Sequence, residues 1–247
     1  MSNKSFIYKE IDQEGLEILN VIANADKFNT WMYQTVRPFL KGEVLEIGSG
    51  IGNITQFVMN DKFSVTASDI RDNYCSMLYN KFNGNTYLKE VRKIDIIHPD
   101  FDNEYRDLLE KFDSIFALNI VEHVQDDELA VKNCKKLLRK NGNLIILVPA
   151  YMTLYNQFDK ELEHFRRYTK VKLEQLFKNA DLNIYKTRYF NFIGIFGWWF
   201  SGSILRKKTI PEGQMKFYNI LVPVFKLADK FVMNKAGLSV ITFGTKV

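Results

Sequence analysis

Apolar residues along the chain fall into two rhythms, short unbroken runs and helical spacings, and the two alternate. The runs lie at 43–47, 64–67, 86–89, 114–118, 143–148, 183–189 and 238–245, and each predicts a strand. Leu144, Ile145, Ile146, Leu147 and Val148 lack the alternation of a half-exposed strand, as expected where a parallel sheet is covered on both faces. Between the runs, residues 53–58, 72–82, 126–139 and 170–179 carry apolar positions at helical spacing. The third of these carries Leu129, Cys134, Leu137 and Leu138 and is expected to stop at Asn141-Gly142. Strands alternating with helices predict an α/β fold, a Rossmann-like, doubly wound, mostly parallel sheet of seven strands.

Two regions stand outside the alternation. The stretch to Leu40 reads as an N-terminal helical cap, and residues 191–237 form an aromatic-rich insertion before the last strand. With 41–150 as a ligand-binding core, 1–247 reads as one domain, and additions to a regular scaffold are where specificity is usually built.

Composition narrows the picture only modestly. The hydrophobic fraction of 46% and charged fraction of 26% are those of an ordinary globular protein. A net charge of +5 is spread along the chain, and the longest basic run is Arg206, Lys207 and Lys208, which speaks against nucleic acid as the partner. Cys75 and Cys134 are too few for a disulfide framework or a zinc knuckle. The N-terminus has no signal-peptide core, and the most apolar stretch, 192–205, is 14 residues long and interrupted by three glycines. A bilayer span needs about 20 apolar residues, so a soluble cytoplasmic protein is the expectation.

The chemistry is concentrated in three places. VLEIGSGIGN, residues 44–53, runs a buried strand into glycines and then a helix. Glycine permits positive φ and close ligand approach, while the helix start offers free N–H donors. The spacing is G-x-G-x-G, not the G-x-G-x-x-G that cradles a dinucleotide pyrophosphate, and Glu46 at the strand end would repel a phosphate. A nicotinamide oxidoreductase is thereby disfavoured. Asp69 ends the second strand about 20 residues beyond the glycines, where a carboxylate suits ribose hydroxyls, or alternatively caps the following helix. Asp95, in KIDI, either accepts from an adenine amino group or is a solvated turn residue. The fourth strand ends at Leu118-Asn119, on the carboxyl edge where open α/β sheets bind ligands.

In this order and spacing, these elements resemble the class I S-adenosylmethionine-dependent methyltransferases over at least residues 31–148. The resemblance implies S-adenosylmethionine as cofactor and an antiparallel last strand at 238–245. It implies that Glu46, Gly48, Gly50 and Gly52, with Ser49 and Asn53 in the same turn, surround the methionine end. It further implies that Asp69, followed by Ile70, holds the ribose, that Asp95 and Ile96 flank the adenine, and that Asn119, Val121, Glu122 and His123 lie near the sulfonium. LVPAYMTLYNQFDKELEHFRRYTK, NFIGIFGWWFSG and GLSVITFG look like a bacterial subgroup of type 11 and type 12 methyltransferases, many of them acting in secondary metabolism or cell-envelope biosynthesis. Glu163 departs from that subgroup, where glycine is frequent.

Methyl transfer needs the nucleophile, carbon and sulfur aligned, and often one proton removed. His164, Arg166, Arg167 and Tyr168 form the candidate catalytic cluster. His164 could act as a base, Arg166 or Arg167 could clamp an anionic acceptor, or the cluster could simply pin its loop. No His, Asp and Glu set has metal-ligand spacing, so no metal is expected. Phe217, Leu221, Val224, Phe225, Ala228 and Phe231 approximate one helical face, bent at Pro223, and the insertion reads as a pocket lid, a membrane-facing patch or ordinary packing.

The expected function is O-methylation of a hydrophobic small-molecule, lipid-linked or peptide acceptor bearing a carboxylate or hydroxyl. Alternatives are small-molecule N-methylation and a catalytically silent cofactor-binding scaffold. A nucleic-acid amine methyltransferase is disfavoured because Asn119, Ile120, Val121 and Glu122 stand where such enzymes carry an N/D-P-P-Y/F turn.

Overall fold

A computed structural model describes residues 13–207 and 211–247. The residues of the expected N-terminal cap before 13, and Lys208 of the basic run, lie outside them. Seven strands form one sheet: β1 (Val44–Ile47), β2 (Val65–Asp69), β3 (Leu88–Lys93), β4 (Phe112–Leu118), β5 (Leu138–Pro149), β6 (Leu182–Phe190) and β7 (Ser239–Lys246). Their order is β3-β2-β1-β4-β5-β7-β6, with β7 antiparallel to both neighbours and the others parallel to one another. The predicted doubly wound sheet and its reversed last strand are thus both present.

The helices are α1 (Gln13–Ala23), α2 (Asp26–Val36), α3 (Thr55–Asn60), α4 (Asp72–Phe82), α5 (Phe101–Glu104), α6 (Asp127–Leu137), α7 (Gln157–Glu161), α8 (Lys170–Asn179), α9 (Gly194–Trp198), which continues as a π-helical turn over Trp199–Ile204, and α10 (Glu212–Phe231). Alternate residues of one strand serve opposite layers. Ile115, Ala117, Leu144, Ile146 and Val148 join the layer of α6 and α8 through Val131, Leu137, Leu173 and Phe177. Phe116, Ile145 and Leu147 join the layer of α2, α3, α4 and α10 through Trp31, Val58, Leu78 and Phe225. This double coverage is why the β5 run shows no alternation.

Most boundaries fall within two residues of the sequence reading, and three elements depart from it further. β3 begins at Leu88 because a turn in which the Leu88 N–H donates to the Asn85 carbonyl (3.1 Å) occupies the preceding residues. It then runs on through Lys89, Glu90, Arg92 and Lys93, charges that suit a sheet edge and mask the strand. α6 stops at Leu137, not beside Asn141-Gly142; Leu138 already pairs with Phe112, and Asn141, at φ 64°, lies inside an irregular start of β5. α10 is continuous through Pro223, and it buries Met215, Val222, Phe225 and Asp229. Phe217, Val224 and Phe231 of the expected inner face instead point outward.

α1, α2, α9 and α10 together roof the carboxyl edge of the sheet. The Phe28 N–H donates to Asn219 Oδ1 at 3.0 Å, joining α2 to α10. Asp229 of α10 accepts from the backbone N–H groups of Asn191 (2.8 Å) and Phe192 (2.7 Å), tying the helix to the end of β6.

Candidate active site

Strand order reverses between β1 and β4, and open α/β sheets bind ligands at the carboxyl ends beside such a point. A cavity of about 440 Å³ lies there, between the loops after β1, β2, β4 and β5 and the helical roof. Its size is that of a small-molecule site.

One wall is the glycine turn. Gly48, Gly50 and Gly52 all have positive φ, at 71°, 53° and 79°. A Cβ on Gly52 would lie 2.3 Å from the Phe82 ring, so this glycine is required by packing as well as by backbone. Asp69 Oδ2 accepts from the Gly50 N–H at 3.0 Å, and Oδ1 accepts from the Arg71 N–H at 3.1 Å. Burial pushes its carboxyl up, and those backbone donors pull it back. Both oxygens keep further lone pairs for a ligand. Glu46 is enclosed as well; burial raises it to about 7, opposed by the Thr55 hydroxyl, which donates at 2.5 Å. Asp95 Oδ1 accepts from the Ile97 N–H at 3.0 Å, holding the turn that presents Asp95 and Ile96 to the cavity.

The facing wall begins at Asn119, a non-glycine residue at φ 55° whose N–H donates to the Leu147 carbonyl at 2.8 Å. That turn leads into Val121–His123, a short 3-10 segment. Glu122 is wholly buried, and neither of its carboxylate oxygens has a hydrogen-bond partner. Burial pushes it up to about 8. His123 and His164 meet edge to face with ring centroids 4.6 Å apart. His123 is driven down to about 3 by burial and by the neighbouring His164 and Arg71, so it is neutral. His164 is lowered by burial, partly countered by Asp159, whose Oδ1 lies 2.8 Å from its Nδ1.

Asp159 organises this wall. It also accepts from Arg167 Nε at 2.7 Å and closes a capping box with Asn156 at the start of α7. Arg167 donates to the Ala150 carbonyl at 3.1 Å and stacks 4.7 Å over Trp198. Its charge is therefore committed within the protein. Arg166 pairs with Asp127 at 2.8 Å, and the Tyr168 hydroxyl donates to the same carboxylate at 2.8 Å.

Of the residues singled out from the sequence, Glu46, Gly48, Ser49, Gly50, Asn53, Asp69, Ile70, Asp95, Ile96, Asn119, Glu122, His123, His164 and Arg167 line the cavity. Gly52 and Val121 stand behind its surface, one against Phe82 and the other in the core. Arg166 and Tyr168 do not line it; their partnership with Asp127 pins the loop instead. Trp198, one of the aromatics of the insertion, also lines the cavity, as the lid reading of that segment expects. Asp159 and Tyr218 are additions that the sequence reading lacks, and of these Asp159 carries a signal, the N-x-x-D spacing of a capping box after Asn156.

The methyltransferase-domain family model matches residues 24–187. Among curated proteins, a highly reducing polyketide synthase of Pyrenophora dematioidea is 26% identical over 113 residues, 42% of this chain and 4% of that protein. The chain thus spans a small fraction of that relative. Among solved structures, phosphoethanolamine N-methyltransferase 2 of Haemonchus contortus, in complex with S-adenosyl-L-methionine, superposes with TM-score 0.62 at 14% identity, over 97% of this chain and 60% of that one. Geranyl diphosphate C-methyltransferase of Streptomyces coelicolor, in complex with Mg2+, geranyl diphosphate and S-adenosyl-L-homocysteine, gives TM-score 0.63 at 9% identity, over 96% and 88%.

Proposed function

The chain belongs to the methyltransferase-domain family, and from that premise we propose that it transfers the methyl group of S-adenosylmethionine to an oxygen of a hydrophobic, lipid-linked acceptor, with 1–247 acting as one domain. The donor reading is carried by Asp69, a buried carboxylate that straddles the glycine turn with lone pairs to spare for a ribose. A second carboxylate, Glu46, lines the same wall. Two enclosed carboxylates favour a cationic, hydroxyl-bearing donor over a phosphate.

The acceptor reading rests on the opposite wall and the roof. Trp198, Met215 and Tyr218 give the cavity an apolar side, while His123, His164 and Glu122 give it a polar end. There the oxygen lone pair forms the new O–CH3 bond, and the S–CH3 electron pair returns to sulfur, leaving S-adenosylhomocysteine. A carboxylate acceptor has no proton to lose; that of a hydroxyl is drawn off at the polar end.

Outside the cavity, α10 exposes Phe217, Ile220, Val224, Leu227 and Phe231, the last at 89%. The adjoining segment exposes Phe196, Trp199, Phe200, Ile204 and Leu205. In sequence, residues 191–247 hold two acidic residues, Glu212 and the buried Asp229, while the described segments beside these faces carry Arg206, Lys207, Lys216, Lys226 and Lys230. Such a surface suits the interface of an anionic bilayer. No helix among the described residues is long and apolar enough to cross a membrane.

Calorimetry tests the donor. Asp69→Ala should weaken S-adenosylmethionine by about a hundredfold, from the loss of two charge-assisted bonds, and an unchanged affinity would remove the assignment. Mass spectrometry of membrane lipid extracts incubated with enzyme and donor should show the gain of one methylene in an acceptor.

A further inference from the structure

We infer that Glu122, His123 and His164 form a binding site for one divalent transition-metal ion in the acceptor end of the cavity. The inference rests on the acceptor side of the proposed function and assigns to that wall a ligand of its own.

Each of the three side chains offers a ligand atom, and these atoms all lie within 4.8 Å of one another. The sequence hides the set, since His123 and His164 are separated by the whole of α6, β5 and α7. Glu122 supplies the independent observation. It is 0% exposed, lines the cavity, and both carboxylate oxygens lack a partner. A buried carboxylate without a donor is costly unless a cation or a proton completes it. Arg167 acts on it only through space, because its guanidinium is held by Asp159 and the Ala150 carbonyl.

The histidines are arranged as ligands rather than as packing. His164 presents Nδ1 to Asp159 at 2.8 Å, which places the proton there and leaves Nε2 with a free lone pair. Carboxylate–histidine pairs of this kind orient a metal-bound imidazole. His123 stands edge to face with His164 and offers one ring nitrogen to the same cluster. Two imidazoles and one carboxylate suit Zn2+, Fe2+, Mn2+ or Co2+ better than Mg2+ or Ca2+. Three protein ligands leave positions open toward the cavity, as catalytic metal sites do.

Those positions would take an oxygen of the acceptor. A metal ion held there would acidify a bound hydroxyl, whose proton would leave from this polar end to solvent, and would place the oxygen to form the O–CH3 bond as the S–CH3 electron pair returns to sulfur. A carboxylate is simply anchored. His164 thereby serves as a ligand and not as the base.

The test uses untagged protein stripped with EDTA and titrated with Co2+ alone. Visible d–d absorption should saturate at one equivalent and be displaced by Zn2+. Glu122→Gln and His164→Asn should each weaken Co2+ by at least about tenfold, and the second-sphere change Asp159→Asn by about 10–100-fold. Thermal melts identify any variant that fails to fold. Pulsed EPR of Cu2+-loaded wild type, which should show two imidazole nitrogens, keeps the proposal falsifiable without any variant. No Co2+ uptake by the stripped wild type, or uptake unchanged in the well-folded variants, overturns it. Calorimetry of S-adenosylmethionine on the same stripped wild type separates the two readings: donor binding without metal binding removes only the metal site, and the reverse removes only the donor.

Discussion

The two walls of the cavity are built in opposite ways. The donor wall is local: Glu46, the glycine turn and Asp69 sit at the ends of two adjacent parallel strands and are held by backbone hydrogen bonds. The acceptor wall is assembled from afar. His123 follows β4, His164 and Arg167 follow α7, and Met215 and Tyr218 come from α10. Backbone fixes the first and side chains fix the second. A rigid donor site and a side-chain-defined acceptor site are what a common scaffold needs if it is to serve many substrates.

This contrast can be broken at several points, taken here from the largest expected effect to the smallest. Gly52→Ala puts a methyl group 2.3 Å from the Phe82 ring at a φ of 79°. Chemical denaturation should show a loss of about 3 kcal/mol. A loss below about 1 kcal/mol would mean that the donor wall is less rigid than its backbone suggests.

Glu46→Gln probes the electrostatic strain of the same wall. Glu46 is raised from 4.5 to about 7 by burial, so ionising it opposes folding. Its contribution is therefore most favourable below the unfolded value and is lost as pH rises through the folded one. The ligand-free variant should match wild type near pH 4 and exceed it by about 2 kcal/mol at pH 8. Donor affinity should fall in the same variant, measured by calorimetry. A constant stability difference across that window would show that Glu46 ionises freely.

On the roof, Ile220→Glu with Leu227→Glu replaces two residues that are 63% and 64% exposed. Stability should move by less than about 0.5 kcal/mol per site. Sedimentation with phosphatidylglycerol vesicles should show binding weakened by about tenfold or more. If wild type ignores the vesicles but elutes as a dimer that the variant dissolves, the stripe is a self-association surface. Like-charged lysines along the stripe oppose that pairing.

The smallest effect concerns Glu163, which sits at φ 57° beside His164. A backbone at that φ suits glycine best. Glu163→Gly should change the melting temperature by only a few degrees, relieved strain being offset by a freer unfolded chain. Glu163→Val should lower it well beyond that.

Legibility in the sequence follows the same division. The order of strands and helices, the glycine turn and Asp69 could be read because each depends on neighbours a few residues away. The acceptor wall could not be read so directly. His164, Arg166, Arg167 and Tyr168 look like one cluster, yet the fold sends His164 and Arg167 to the cavity while Asp127 draws Arg166 and Tyr168 away. α10 is apolar on two faces, so its periodicity marks a helix without saying which face turns inward; Val222 and Phe225 are buried, Val224 and Leu227 exposed. β3 was displaced because the charges of an edge strand obscure its pattern.

Asp229 gives the roof one last property. By accepting two N–H groups at the end of β6, it fastens α10 to the carboxyl edge of the sheet, where the cavity lies. On an anionic bilayer, a protein resting on the outer stripe of α10 would meet its acceptor by diffusion in a plane. Turnover would then follow the mole fraction of acceptor in the lipid, and diluting the vesicles at constant composition would leave the rate of bound enzyme unchanged.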